Sequence, residues 1–94
     1  MTWYAIRIEL HNANAEDYQT LHDILDVVEI VRTITSDQGT EYQLPTGMYF
    51  TESDRNIDEI LSLVKNLAAV ARPNPEVFVV ETSSMKWTGL NVLG

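Results

Sequence analysis

The sequence predicts an α+β domain whose strands and helices follow the order β-α-β-β-α-β. Three observations indicate this order. The chain opens with a strand-like alternation of apolar and polar residues, two later stretches repeat apolar residues at helical spacing, and segments rich in β-branched residues follow each of them. Two crossover helices on one face of a four-stranded antiparallel sheet make the ferredoxin-like sandwich, which we predict for residues 1–82.

The composition is that of one small globular domain. The chain has 94 residues, of which 45% are hydrophobic, and this is enough for one core but not for two. The absence of cysteine excludes disulfides and thiolate metal sites. Fourteen acidic and six basic residues give a formal charge of −8, which disfavours binding to phosphate chains, and no DNA binding is expected. Because no leader or membrane-length apolar segment is visible, we expect a cytoplasmic protein with no membrane association.

The first strand, Trp3–His11, is the element from which the rest of the prediction is built. One of its faces is apolar and is expected to meet the core; it carries Tyr4, Ile6, Ile8 and Leu10. The opposite face is mixed and carries Trp3, Ala5, Arg7, Glu9 and His11. We expect this strand to lie in the middle of the sheet.

The first helix is predicted over residues 15–28. Asn14 is its expected N-cap, because a short polar side chain there accepts a hydrogen bond from the first helical turn. An amphipathic stripe at 3-4-3 spacing follows, formed by Tyr18, Leu21, Leu25 and Val28. Strand two is predicted at Ile30–Thr35, where five of six residues are β-branched.

Strand three is predicted in two pieces after a turn at Gly39. It starts at Glu41 and is interrupted at Pro45, which cannot donate a backbone hydrogen bond, before it resumes over residues 47–51. In the second piece, we expect Met48 and Phe50 to face the core, and the alternate residues Tyr49 and Thr51 to face away from it.

The second helix is predicted over residues 57–71. Asn56 and Glu59 have the spacing of a capping box, a continuous apolar stripe follows, and Pro73 ends the helix. Strand four is predicted at Glu76–Thr82. Residues 83–94 form either a C-terminal tail or a short fifth strand.

One face of the predicted sheet has no helix to cover it. By alternation this open face would carry Tyr49, Thr51, Val77, Val79 and Glu81 in addition to the mixed face of the first strand, which includes Trp3. Such a set is too apolar to remain in water without a partner. We therefore expect a homodimer formed through the open face.

The row Arg7, Glu9 and His11 is the first candidate for chemistry. A histidine titrates near neutrality, a carboxylate can orient it and a guanidinium can hold a phosphate, so the row suits RNA cleavage with the 2′-hydroxyl as nucleophile. The alternative is a plain cross-strand ion pair with a solvated histidine at the strand end. Trp3 and Tyr49 could stack RNA bases on the same face, or simply pack in a dimer interface.

Two further groups have both a functional and a plain interpretation. His22 can transfer a proton, but its position four residues before Asp26 is also typical of a surface pair on a helix. Glu9 and Glu81 would suit Mg²⁺ if the first and fourth strands are neighbours, although two carboxylates also meet by chance in an acidic protein. We assign no metal site and expect no cofactor.

Several stretches resemble one known family. They are YAIRIEL in the first strand, Tyr18-x-x-Leu21 in the first helix, the Gly39 turn, Gln43-Leu44 and the second amphipathic helix. Together they are similar to the GhoS-type antitoxin endoribonucleases, which are similar in fold to the small CRISPR-associated nucleases. The resemblance runs from about Tyr4 to Leu44 and more loosely through Thr82.

The resemblance implies an endoribonuclease that cuts a toxin messenger RNA. The acid that closes the first strand, an Asp in the nucleases, falls on Glu9, which keeps a carboxylate. The basic residue of the first helix that is implicated in RNA cleavage falls on His22, which keeps the ability to transfer a proton but loses a permanent charge.

Two functions remain open from the sequence. In the first, Arg7 contacts phosphate, Glu9 orients or assists, His11 or His22 transfers the proton, and Trp3 and Tyr49 bind RNA. In the second, the protein is a non-catalytic homodimeric interaction module that presents its first helix to a basic protein. This second function is suggested by residues 12–31, which carry five acidic residues and no Lys or Arg.

Overall fold

The computed structural model describes residues 1–93 and confirms an α+β domain. Its strands are β1 (Thr2–Glu9), β2 (Thr33–Thr35), β3 (Glu41–Gln43), β4 (Met48–Ser53) and β5 (Glu76–Thr82), and its helices are α1 (Ala15–Val27) and α2 (Ile57–Ala71). Neither helix of this part of the chain is long and apolar enough to cross a membrane.

The main sheet has three antiparallel strands in the order β4-β1-β5, so the central position predicted for the first strand is confirmed. β2 and β3 form a separate two-stranded hairpin. A single bridge connects it to the main sheet, where the N–H groups of Val31 and Phe50 donate to each other's carbonyl at 2.9 and 2.8 Å.

A continuous four-stranded sheet is not formed, for a reason that lies in β4. An antiparallel ladder that continued from the Val31–Phe50 bridge would next engage Met48. The Met48 N–H instead donates to the Pro45 carbonyl at 3.0 Å in a tight turn. On the other side of the bridge, Glu29 has a φ of 61° as it ends α1, so the chain is not extended there either.

Both helices begin as the sequence predicts. At each N-terminus an asparagine side chain accepts from the N–H three residues later, and the acidic side chain at that position accepts from the asparagine N–H. These capping boxes pair Asn14 with Asp17 and Asn56 with Glu59.

Both helices pack on one face of the main sheet. The core between them is formed by β1 and by the apolar stripes of α1 and α2, and its fully enclosed members include Tyr4, Ile6, Ile8, Leu21, Leu25, Ile60, Val64 and Ala68. The apolar face predicted for the first strand is thus the face that the helices cover.

The predicted faces of the third and fourth strands are wrong. Tyr49 and Thr51 stand opposite Ile6 and Tyr4 of β1 and are buried, whereas Phe50 stands opposite Ala5 on the open face. In β5 the exposed hydrophobic side chains are those of Phe78 and Val80, and the residues expected there, Val77 and Val79, pack against the core. Directly opposed residues of antiparallel strands project to the same face, so the apolar side of β1 determines both neighbours.

The C-terminal residues cross the open face on its β4 side. Met85, Trp87 and Leu90 enclose an apolar cavity of about 280 Å³ against the sheet. The chain then pairs with β3 through one bridge between Val92 and Tyr42, so the predicted fifth strand is reduced to this bridge and its two flanking backbone hydrogen bonds.

Candidate functional site

The strongest cluster of chemically active side chains lies where α1 meets β4. The Nδ1 atom of His22 is 2.7 Å from the Tyr49 hydroxyl oxygen, and the two rings have centroids 5.6 Å apart. Tyr18, one helical turn earlier, has its ring 6.5 Å from that of His22, and its hydroxyl accepts a hydrogen bond from the Leu10 N–H at 3.0 Å. The positive charge of Arg32 acts on both His22 and Tyr49. We call Tyr18, His22, Arg32 and Tyr49 the His22–Tyr49 site.

The fold explains why these residues meet. Tyr49 is enclosed on the helix-covered face because it stands opposite Ile6 in the sheet. His22 follows the fully buried Leu21 in α1, so it lies at the border between the core and solvent. Such a position leaves an imidazole half-buried, with one nitrogen held by the protein.

Arg32 contributes a positive charge that the protein leaves uncompensated. Its Nε atom is buried and donates to no acceptor within residues 1–93, and no carboxylate of that range lies within ion-pair distance of its guanidinium. Its backbone is held, because the Arg32 carbonyl accepts from the Leu44 N–H at 2.7 Å and from Gln43 Nε2 at 3.1 Å. A buried N–H without a partner is costly, so it needs an explanation.

Burial and charge fix the protonation states at this site. Desolvation lowers the pKa of His22 below its usual 6.5, and the positive charge of Arg32 lowers it further against the opposing effect of Asp23. The imidazole is therefore neutral at neutral pH. Burial raises the pKa of Tyr49, with Arg32 acting in the opposite sense, and its hydroxyl keeps its proton.

This arrangement combines a neutral base with a fixed cation. In the tautomer with its proton on Nδ1, His22 donates to the Tyr49 oxygen and leaves the Nε2 lone pair free to accept a proton. A guanidinium that lacks an internal partner is suited to hold a phosphate oxygen. Proton transfer beside a bound phosphate is the chemistry that these groups can perform.

The predicted row on the first strand is only partly assembled. The Arg7 guanidinium binds Glu9, with Nε 3.2 Å from Oε1, so the charge of each is largely satisfied by the other. His11 does not reach Glu9; its Nε2 lies 3.5 Å from Glu76 Oε2 on the neighbouring strand. These side chains are half-exposed at the open face and its end, away from the helix side where His22 lies.

The two aromatic residues expected to bind RNA lie on opposite faces of the sheet. Trp3 is on the open face, where its ring packs edge-on against Phe50 with centroids 6.3 Å apart. Tyr49 is fully enclosed, so the expectation that it stacks bases beside Trp3 is wrong. Phe50 takes the place on the open face that was expected for Tyr49.

The pairing of Glu9 with Glu81 is also wrong. Although β1 and β5 are neighbours, Glu9 stands opposite Glu76, and Glu81 stands opposite Tyr4 on the other face. Within residues 1–93 no group of three or more metal-ligating side chains comes together.

Arg32 is the functional candidate that sequence reasoning missed. One signal was available, since Arg32 is the only Lys or Arg between Arg7 and Arg55, in the middle of an otherwise β-branched segment. Its meaning depends on Tyr49 and His22, which lie far from it in the sequence.

No protein-family model matches this chain, and comparisons with curated proteins and with solved structures gave no match.

Proposed function

We propose that this protein is an endoribonuclease that uses the His22–Tyr49 site, with His22 as the proton acceptor and Arg32 as the phosphate-binding residue. The observation that carries the proposal is a half-buried imidazole with a depressed pKa, held by Tyr49 and accompanied by a guanidinium without an internal partner. Titratable groups with a perturbed pKa beside a charged residue are typical of functional sites.

The proposed reaction is an internal transesterification. The Nε2 atom of His22 takes the proton of the 2′-hydroxyl, and the 2′ oxygen forms a bond to phosphorus while the bond from phosphorus to the 5′ oxygen breaks. The leaving 5′ oxygen takes a proton from water. Arg32 stabilises the negative charge that builds on the phosphate oxygens. The products are a 2′,3′-cyclic phosphate and a 5′-hydroxyl end.

The proposal places proton transfer at His22 and not at His11. His11 and Glu76 are half-exposed partners, and Arg7 is engaged by Glu9, so this row has no uncompensated cation to hold a phosphate. The resemblance to GhoS-type antitoxins supports the same residue and makes a toxin messenger RNA the substrate to test first. It also supports a ferredoxin-like ancestry of the fold, in which the Val31–Phe50 bridge would be what remains of the pairing between the fourth strand and the sheet.

The test uses total cellular RNA, purified protein and mapping of newly formed 5′-hydroxyl ends. We expect cleavage by the unmodified chain, a loss of about 100-fold or more in His22→Ala, which is a typical contribution of general base catalysis, and a similar loss in Arg32→Gln. His11→Ala and Arg55→Gln are the matched controls and are expected to stay active. The proposal is refuted if His22→Ala cleaves RNA as fast as the unmodified chain does, or if neither protein cleaves it.

A second function is favoured by the surface of α1. Its acidic residues Glu16, Asp23 and Asp26, together with Glu29 just beyond its end, are exposed, and none forms an ion pair within the described residues. In the described part of the chain, the one acidic residue of α1 that forms an ion pair is Asp17, whose Oδ2 lies 2.9 Å from Arg72 Nε. Such a surface suits a basic partner protein. Salt-sensitive retention of a basic protein, lost in Asp23→Asn/Asp26→Asn and accompanied by no RNA cleavage, would favour this function.

A further inference from the structure

The outer edge of β5 has no neighbouring strand within residues 1–93. Its inner edge pairs with β1 over the whole strand, from Glu76 to Thr82. The described residues that follow β5 do not protect it, because residues 85–92 run over the β4 side of the open face to β3. An edge of this length presents a row of backbone donors and acceptors to any strand of matching shape.

The hydrogen bonds of β1 show which residues of β5 direct their backbone N–H and C=O groups toward this edge. The Ile8 N–H donates to the Gly47 carbonyl at 2.8 Å, on the β4 side. Backbone direction alternates along a strand, so Ala5 and Arg7 point toward β5, where they are opposite Val80 and Phe78. The other residues of β5 therefore direct their N–H and C=O groups away from the sheet; these are Val77, Val79 and Glu81.

We propose that a second copy of this chain pairs with this edge, β5 against β5 in antiparallel orientation, with the two-fold axis at Val79. In this register Val79 faces its own copy and Val77 faces Glu81 of the other chain, so all three outward residues are hydrogen-bonded. The two three-stranded sheets then join into one sheet of six strands. With the axis at Phe78, Val77 with Val79 would be the only kind of hydrogen-bonded pair within the strand. With the axis at Val80, it would be Val79 with Glu81.

The side chains favour the same register. Phe78 is 58% exposed and Val80 is 44% exposed, both on the open face. With the axis at Val79, Phe78 of each copy lies directly opposite Val80 of the other, so the two side chains contact each other across the interface. The two glutamates of the strand oppose Thr82 and Val77, and no carboxylate faces another carboxylate. The strand also lacks the lysine, proline or bulge that commonly blocks edge pairing.

The affinity of the proposed dimer should depend on salt in a way that distinguishes it from a charge-driven complex. Each chain has a formal charge of −8, so two copies repel each other, and the interface offers backbone hydrogen bonds and apolar contacts in place of ion pairs. Added salt screens the repulsion, and dimerisation should become tighter as the salt concentration rises. Binding driven by charge complementarity would respond in the opposite direction.

The test measures association by sedimentation equilibrium from micromolar to millimolar protein. The unmodified chain is expected to dimerise, and Phe78→Lys alone or Val80→Glu alone to weaken the dimer by about 100-fold or more, which corresponds to the loss of two central contacts. Val70→Lys is the matched control, because Val70 is 70% exposed and belongs to α2, not to the strand that would pair. Circular dichroism of each variant checks that it is folded.

Mixing identifies the register. Phe78→Lys and Val80→Glu chains should form a heterodimer, because position 78 of one faces position 80 of the other. Concentration-dependent amide protection is expected at Val77, Val79 and Glu81, and not at Phe78 or Val80, whose N–H groups already bond to β1. A monomer at millimolar concentration, equal weakening by Val70→Lys, or failure of the two variants to associate would each overturn the proposal. None of these outcomes depends on RNA cleavage.

Discussion

Replacing Arg32 with methionine should stabilise the fold while it removes the proposed function. The buried Nε of Arg32 donates to no acceptor in the described chain, and such a group costs about 1–3 kcal/mol relative to a solvated one. Methionine keeps the apolar length of the side chain without the donor. Part of the gain is offset by lost packing of the guanidinium, so we expect a net increase of about 1 kcal/mol in the free energy of unfolding.

The measurement is urea denaturation of Arg32→Met, with Arg55→Met as control. A gain of about 1 kcal/mol corresponds to a rise in Tm of about 4–8 °C for a domain of this size. Arg55 is exposed and its hydrogen bonds use only its backbone: the carbonyl accepts from the Tyr4 hydroxyl at 2.6 Å and the N–H donates to Ser53 Oγ at 3.1 Å. Replacing its side chain should therefore change stability by about 0.5 kcal/mol or less. A loss of stability of about 1 kcal/mol or more in Arg32→Met would show that the guanidinium is satisfied in solution, and the argument for a vacant phosphate ligand would fail.

The remaining predictions concern pH, a turn and a helix start. The pKa of His22 is lowered in the folded state, so the folded protein resists protonation of this residue. The free energy of unfolding should therefore be highest above pH 6.5 and fall as the pH drops from 6.5 toward the folded pKa. Titration of His22 by NMR should show a higher pKa in Arg32→Met, because the positive charge of Arg32 is removed. Gly47→Ala should cost about 1–3 kcal/mol in denaturant unfolding, because Gly47 has a φ of 86° and an added Cβ would lie 2.9 Å from the Ile8 carbonyl; an unchanged midpoint would contradict this. Asn56→Ala removes a helix cap and should cost about 1 kcal/mol, and a neutral result would mean that the α2 capping box contributes nothing.

The parts of the fold that could be predicted are those with a strong contrast between faces. The first strand alternates cleanly, and the second helix combines a capping box at Asn56 with a long apolar stripe, so each determines its own orientation. β4 and β5 lack this contrast, because Tyr49 is followed by Phe50 and Val79 by Val80. Either face could be the buried one, and a choice shifted by one residue inverts every side chain. Which face is buried is determined by the pairing with β1, which depends on residues distant in the sequence.

The contact between His22 and Tyr49 and the place of Arg32 were missed for the same reason. Once Tyr49 is assigned to the open face, the only partner left for His22 is Asp26 on the helix surface, and nothing connects Arg32 to either residue. The departure of β2 from the sheet was equally hidden, since it depends on the Met48 N–H being used in a turn at Pro45. The sequence indicated the interruption at Pro45 but not the strand that would lose its ladder because of it.

The central position of β1 has a consequence for how the chain folds. Its two partners are far along the polypeptide: Trp3 lies beside Glu52 on one side and beside Thr82 on the other. Loops that span much of the chain must therefore close before the sheet gains its stabilising contacts, and domains built in this way fold slowly for their size. During synthesis β1 emerges before β4 and β5, and it has no strand partner until they have left the ribosome. Until then its apolar side is exposed, and stalled or truncated chains should aggregate more readily than finished ones.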